Sequence, residues 1–261
     1  MLKWFDNIVQ YRDLLYMLTW RDIRIKYKQT VMGFMWAILM PMVIVTAGML
    51  VRYAVSRFTG VPVTLSNVAS VSVKAVPWAF FVGSIRFATT SLISNSNLVT
   101  KIYFPRELFP ISATLSNLFD FTVASISVFC FLLIGQIGVS LNLLWIPVLV
   151  IILCSLAMGL GILLSALALF FRDVKYLVEV GLTFGIFFTP VFYDVKMLGG
   201  LGKILLLNPL AGILLSFDDC IVNHSPPQFF WLLYSTLCSV IIFILAIVAF
   251  KKMEPVFAES I

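Results

Sequence analysis

Two ionisable side chains, Arg86 and Asp120, stand inside long apolar stretches. An unpaired charge at the centre of a bilayer costs at least about 2.5–3.5 kcal/mol, so it normally faces a partner or a water-filled cavity. Arg86 lies 11 residues before Asn97, and Asp120 lies 12 residues after Leu108. At about 1.5 Å per residue, both rise roughly 16–18 Å from the loop between them. The expectation is an ion pair between neighbouring helices, which either fastens them together or lines a passage. The loop itself, "NLVTKIYFPRELFP" (97–110), crowds Lys101, Ile102, Tyr103, Phe104, Pro105, Arg106 and Glu107 between two apolar runs. Lys101 and Arg106 suffice for an ordinary basic loop; the adjacent Tyr-Phe-Pro does not follow from that reading.

Enzymatic chemistry is not expected. "GGLGKI" (199–204) has a Gly-Lys but lacks the upstream glycine and the following Ser/Thr of a Walker A loop. The single histidine, His224, sits beside Ser225-Pro226-Pro227 and reads as a loop residue. Cys130, Cys154, Cys220 and Cys238 show no CxxC spacing, and three lie in apolar runs, where cysteine behaves as a small hydrophobe. No metal, cofactor or catalytic group is expected in this chain.

Composition supplies the elements that must position these residues. The chain is 61% hydrophobic and 11% charged, against roughly 25% charged in a soluble domain. A bilayer core about 30 Å thick needs about 20 apolar residues per helix, and several stretches reach that length. The first 28 residues carry six Lys/Arg and three Asp without a long apolar core, unlike a signal peptide. Spans are expected at 29–51, 75–97, 108–134, 143–170, 176–192 and 229–250. The uncharged run 121–171 would measure about 76 Å as one helix, so it must fold back, with the turn at "GQIGVSLN" (135–142). The polar stretch before Lys74 reads as a loop. The predicted fold is all-α, with an N-terminal segment (1–30), a six-span domain (31–250) and a short tail (251–261).

Six spans put both termini on one side, and the positive-inside rule chooses it. Outside the spans that side holds 12 Lys/Arg and the other five, so both termini and the 97–110 loop are expected in the cytoplasm. This asymmetry accounts for the net charge of +6 without nucleic acid. The segment 11–30 reads as an interfacial helix. Trp20, Ile23 and Tyr27 form one stripe, Arg21, Arg24 and Lys28 a cationic one, and Asp22–Lys26 a favourable i,i+4 pair. A generic basic flank that orients the first span is the plainer alternative. "LGGLGKILLLNPLAGILLSF" (198–217) is broken by Gly199, Gly200 and Asn208-Pro209, which suit an N-cap and first helical position. It reads as two short outer helices dipping into the membrane at a gate, or as a hairpin lying flat on the surface.

"LTWRDIRIKYKQTVMGFMWAILMPM" (18–42) resembles the entry of ABC-2 type permeases that export polysaccharides such as O-antigen, capsule and teichoic acid. The opening loop, "ALFFRDVKYL" (168–177), "TPVFYD" (189–194) and "LNPLAGIL" (207–214) resemble later landmarks of the same family, in order. Asp218-Asp219 depart from it, since members often carry a basic residue there. The resemblance implies an inner-membrane permease that works as a homodimer with two ATPase subunits, moving a lipid-linked glycan outward; the ATPase binds the ATP and Mg. A glycan-recognition module would belong to another chain. Residues 101–107 would form the coupling helix docked on the ATPase, with Tyr103 and Phe104 as apolar anchors and the charges setting register. Arg172, Asp173 and Lys175 would make a second cytoplasmic contact. Trp36, Phe80, Phe81 and Phe87 are candidates for stacking on sugars along the passage. The alternatives are an ABC-2 exporter of a small lipid or drug, and a channel or scaffold independent of any ATPase.

Overall fold

The computed structural model describes residues 8–28, 30, 32–33, 35–60, 62–101, 104–195 and 199–259. Among these, all regular structure is helical. The main elements are α1 (Arg12–Tyr27), α2 (Met35–Thr59), α3 (Leu65–Ser94), α4 (Ser96–Lys101), α5 (Leu108–Ile134), α6 (Ile146–Phe170), α7 (Val174–Gly185), α8 (Gly200–Leu205), α9 (Pro209–Ile221) and α10 (Phe229–Met253). Short 3-10 turns precede α6 at Leu141–Trp145, follow α7 at Ile186–Phe188 and follow α10 at Glu254–Glu259.

Five segments are long and apolar enough to cross a bilayer: Met35–Ala54, Leu65–Ser94, Leu108–Ile134, Leu141–Phe170 and Phe229–Phe257. The third matches its expected limits. The expected span at 176–192 is instead a 12-residue helix with a 3-10 turn, and 12 residues of α-helix rise only about 18 Å. Phe170 packs against the hydrophobic cluster that holds Phe104 and Leu108, while Val191 and Phe192 belong to a second cluster with Val71, Val73 and Trp78. Between them Glu179 meets Arg86, and a Cβ on Gly185 would come within 3.2 Å of Trp78. Residues 174–192 thus track α3 from its middle to its start.

The polar stretch before Lys74 is not a loop. α3 begins at Leu65 and carries Ser70, Ser72 and Lys74 as buried side chains. The helix holds because each has a partner: Ser72 donates to the Val68 carbonyl at 2.8 Å, Ser70 donates to Asp218 at 3.0 Å, and Lys74 faces two carboxylates. α3 is the most buried span and packs on α5, α6, α2 and α9. α6 and α10 lie in close contact, with a Cβ on Gly159 reaching 2.8 Å from the Phe243 Cα; only a residue without a side chain permits that approach.

Both short helices expected at 198–217 are present as α8 and α9. Asn208 caps α9, its side-chain oxygen accepting the Leu210 N–H at 3.1 Å, and Pro209 follows at the first position. Asn208 also donates to the Thr189 hydroxyl at 3.2 Å, tying α9 to the 189–195 segment. Gly199 precedes α8 with φ +51°, a backbone conformation that suits glycine.

Candidate functional site

α1 does not stand apart from the bundle. It packs on α5, with Leu18 buried against the cluster that holds Leu108 and Phe109. Contacts then climb together along the two helices. Ser112 donates to Asp22 at 2.9 Å, Lys26 donates to Asn117 at 2.9 Å and to Asp120, and the Tyr27 hydroxyl donates to Asp120. The last turn of α1 therefore reaches the carboxylate in the middle of α5. Burial, followed by the hydrogen bond and charge of Asp120, raises the Tyr27 pKa above its ordinary value.

The expected pairing of Arg86 with Asp120 gives way to a different one. Asp120 is taken by Lys26 and Tyr27. Arg86 instead makes a bidentate pair with Glu179 of α7, at 2.7 and 2.8 Å. The sequence reading missed Glu179, although it is the acidic residue within the apolar run 176–192. The Asp22–Lys26 pair gives way too. Arg21 bonds Asp22 at 2.8 Å, and Lys26 is drawn upward by Asp120, where it also lies 4.6 Å over the Phe87 ring.

Lys26, Arg86 and Asp120 share a cavity of about 440 Å³ between α1, α2, α3 and α5. Its polar wall is Lys26, Tyr27, Arg86, Asn117 and Asp120, and its aromatic wall includes Trp36, Phe80 and Phe87. Three of the four aromatics singled out from the sequence thus lie in one place. The fourth, Phe81, packs on Trp78 at 6.2 Å instead. Arg86 and Glu179 keep 48% and 45% side-chain exposure, so their pair is open to whatever fills the space beside it.

In the 97–110 loop, Ile102 and Tyr103 lie outside the described residues, as does the Lys101 side chain. Phe104 is not an outward anchor: it is buried and meets Phe109 edge-on at 5.4 Å. Arg106 donates to the Glu254 carbonyl at 3.0 Å and lies 5.8 Å over the Phe257 ring, so the loop is clasped by the turn after α10. Glu107 is buried, 3.4 Å from Lys251. Arg172, Asp173 and Lys175 are exposed, with Lys175 lying over the Tyr176 ring at 4.7 Å.

At the opposite end is a charge cluster that the sequence reading did not anticipate. Lys74 lies 3.7 Å from Asp218 and 3.9 Å from Asp194. Arg52 bonds the Phe192 carbonyl at 3.0 Å, Asn67 at 2.8 Å and Asp194 at 3.3 Å. Asp218, noted from the sequence as a departure from the family, is thus the counter-charge of a buried lysine.

Fold and site together define an all-helical, multi-pass membrane protein with a polar pocket inside its bundle. The family model for ABC-2 type transporters matches residues 13–217, and the chain belongs to that family. Two Klebsiella pneumoniae proteins named O-antigen export system permease protein RfbA are 29% and 28% identical to it, over 261 and 262 residues. Each match covers 99% of this chain and 98% of the relative. A Myxococcus xanthus protein of the same name is 28% identical over 269 residues, covering 100% of both chains.

Charge reversal tests the observed pairing. Asp120→Asn is expected to destabilise the protein by about 1–3 kcal/mol, read as a lower thermal midpoint in detergent. Lys26→Asp with Asp120→Lys should recover part of the loss. Arg86→Asp with Asp120→Arg should recover none, and recovery there would restore the pairing expected from the sequence.

Proposed function

We propose that the chain is the permease subunit of an ATP-driven exporter that moves a lipid-linked polysaccharide of the O-antigen type across the cytoplasmic membrane. The observation that carries this reading is the full-length likeness to three proteins named as O-antigen export permeases. Residues 174–192 form a sixth crossing, bringing both termini to the cytoplasm, and the excess of Lys/Arg on the side of the 97–110 loop supports that orientation. α1 is the interfacial element, and α8 and α9 are re-entrant helices at an outer gate around Gly199, Gly200, Asn208 and Pro209. A cysteine placed at 199 should react with a membrane-impermeant thiol reagent only from outside; labelling only from inside would contradict the sixth crossing.

ATP hydrolysis belongs to a partner subunit that binds the ATP and Mg. Its closure moves residues 101–107, with a smaller contact at Arg172, Asp173 and Lys175. Movement would reach α5 through Phe104 and Phe109, and α10 through the Arg106 contacts with Glu254 and Phe257. Two copies of the chain enclose the passage. The half-exposed Arg86–Glu179 pair supports this, because an ion pair at that depth faces protein or water rather than lipid. Trp36 and Phe87 supply flat apolar surfaces for sugar rings, and the charges beside them suit a polar substrate in an otherwise greasy wall.

Deleting the gene in its native host tests the reading. The expected result is loss of surface polysaccharide, with the lipid-linked glycan retained in the inner leaflet; complementation by the intact chain restores display. Normal display accompanied by defective efflux of a small lipid or drug would contradict it.

A further inference from the structure

Glu107 opens α5 from inside the protein. It is 1% exposed, yet neither of its carboxylate oxygens has a hydrogen-bond donor among the described residues. Among the described residues its ion-pair partner is the Lys251 amine, 3.4 Å from Oε1, and that side chain is 42% exposed to solvent. Arg106 stands next in sequence but is committed elsewhere, to the Glu254 carbonyl and the Phe257 ring. A desolvated carboxylate with unfilled lone pairs is costly, and native structures seldom leave one so.

The carboxylate faces an open space. Glu107 lines a cavity of about 630 Å³ together with Gln10, Tyr11, Phe104, Lys251 and Glu254. The cavity lies where the 97–110 loop, the start of α1 and the turn after α10 converge. Its wall offers two carboxylates, an aromatic face at Phe104 and the polar ends of Tyr11 and Gln10; of its two cations, Arg106 is engaged with Glu254 and Phe257, and Lys251 is half in solvent.

We propose that this cavity receives an arginine side chain of the ATPase subunit, whose guanidinium bonds Glu107 and displaces Lys251 toward solvent. The inference rests on the permease reading above. Arginine fits better than lysine because its planar fork donates two parallel hydrogen bonds to one carboxylate and is the more weakly hydrated cation, so it enters a buried site at lower cost. Such a contact ties the ATPase to the start of α5, where Glu107 is the N-cap, and to the turn after α10, where Glu254 shares the cavity wall.

The test uses the full chain and the ATPase subunit that copurifies with it. Glu107→Gln keeps the shape and removes the charge. The variant chain alone should melt at or above the wild-type temperature, because an amide is cheaper to bury than a carboxylate without donors. Its affinity for the ATPase should fall about tenfold or more. Alanine replacement of the arginines on the ATPase surface, one at a time, should find one whose loss weakens binding to the wild-type chain but adds nothing to Glu107→Gln. Unchanged affinity of Glu107→Gln, or additivity with every arginine, overturns this inference alone. So does finding that Lys3→Ala in this chain behaves as the missing partner, which would assign the cavity to the chain's own N-terminal segment. Failure of the wild-type chain to bind any ATPase overturns the permease reading along with it.

Discussion

Lys74 is an amine at 1% exposure inside an apolar bundle, and one end of the molecule is arranged around it. Two unit charges about 4 Å apart attract by about 4 kcal/mol at the effective dielectric that fits most proteins. Taking them out of water costs several kcal/mol per ion, so the cluster adds little net stability. What it does is fix geometry. Asp218 brings α9 to α3, Asp194 brings the 189–195 segment, and Arg52 holds α2 to both Asn67 and the Phe192 carbonyl. Losing one member would strand the others, which typically costs about 3–5 kcal/mol.

The same rule operates halfway down α3, where Arg86 binds Glu179 and fixes α7 alongside. α3 is therefore the post on which residues 174–194 are hung, through Glu179 on α7 and Asp194 beyond the 3-10 turn. Nearby, Asp120 draws the last turn of α1 inward through Lys26 and Tyr27. The polar pocket is the meeting place of these matched charges. Its aromatic wall follows from α2 and α3 passing on either side.

The helices themselves were legible in the sequence. α5 ends where its apolar run ends, and Asn208-Pro209 announced the start of α9 through local chemistry alone. Long-range pairing was not legible. Nothing around "SVSVK" distinguishes a loop from a helix until Asp218, 148 residues beyond Ser70, supplies the partner that makes burial possible. Arg86 and Asp120 were recognised as charges needing partners, but two plausible partners at matching depth outweighed Glu179 and Lys26, whose heights depend on how α7 and α1 pack. Phe104 was misread for a related reason: an aromatic in a short loop reads the same whether it faces out or folds back on Phe109.

On the permease reading, this bundle conducts a lipid-linked glycan under the control of a separate ATPase. The most direct measurement is transport by the purified complex in proteoliposomes, scored as protection of the glycan from an added glycan-cleaving enzyme. Protection should grow only with ATP and Mg, and should disappear when the Walker lysine of the ATPase is replaced by alanine. Protection that grows at the same rate without ATP would overturn ATP-driven export and identify the chain as a passive conduit.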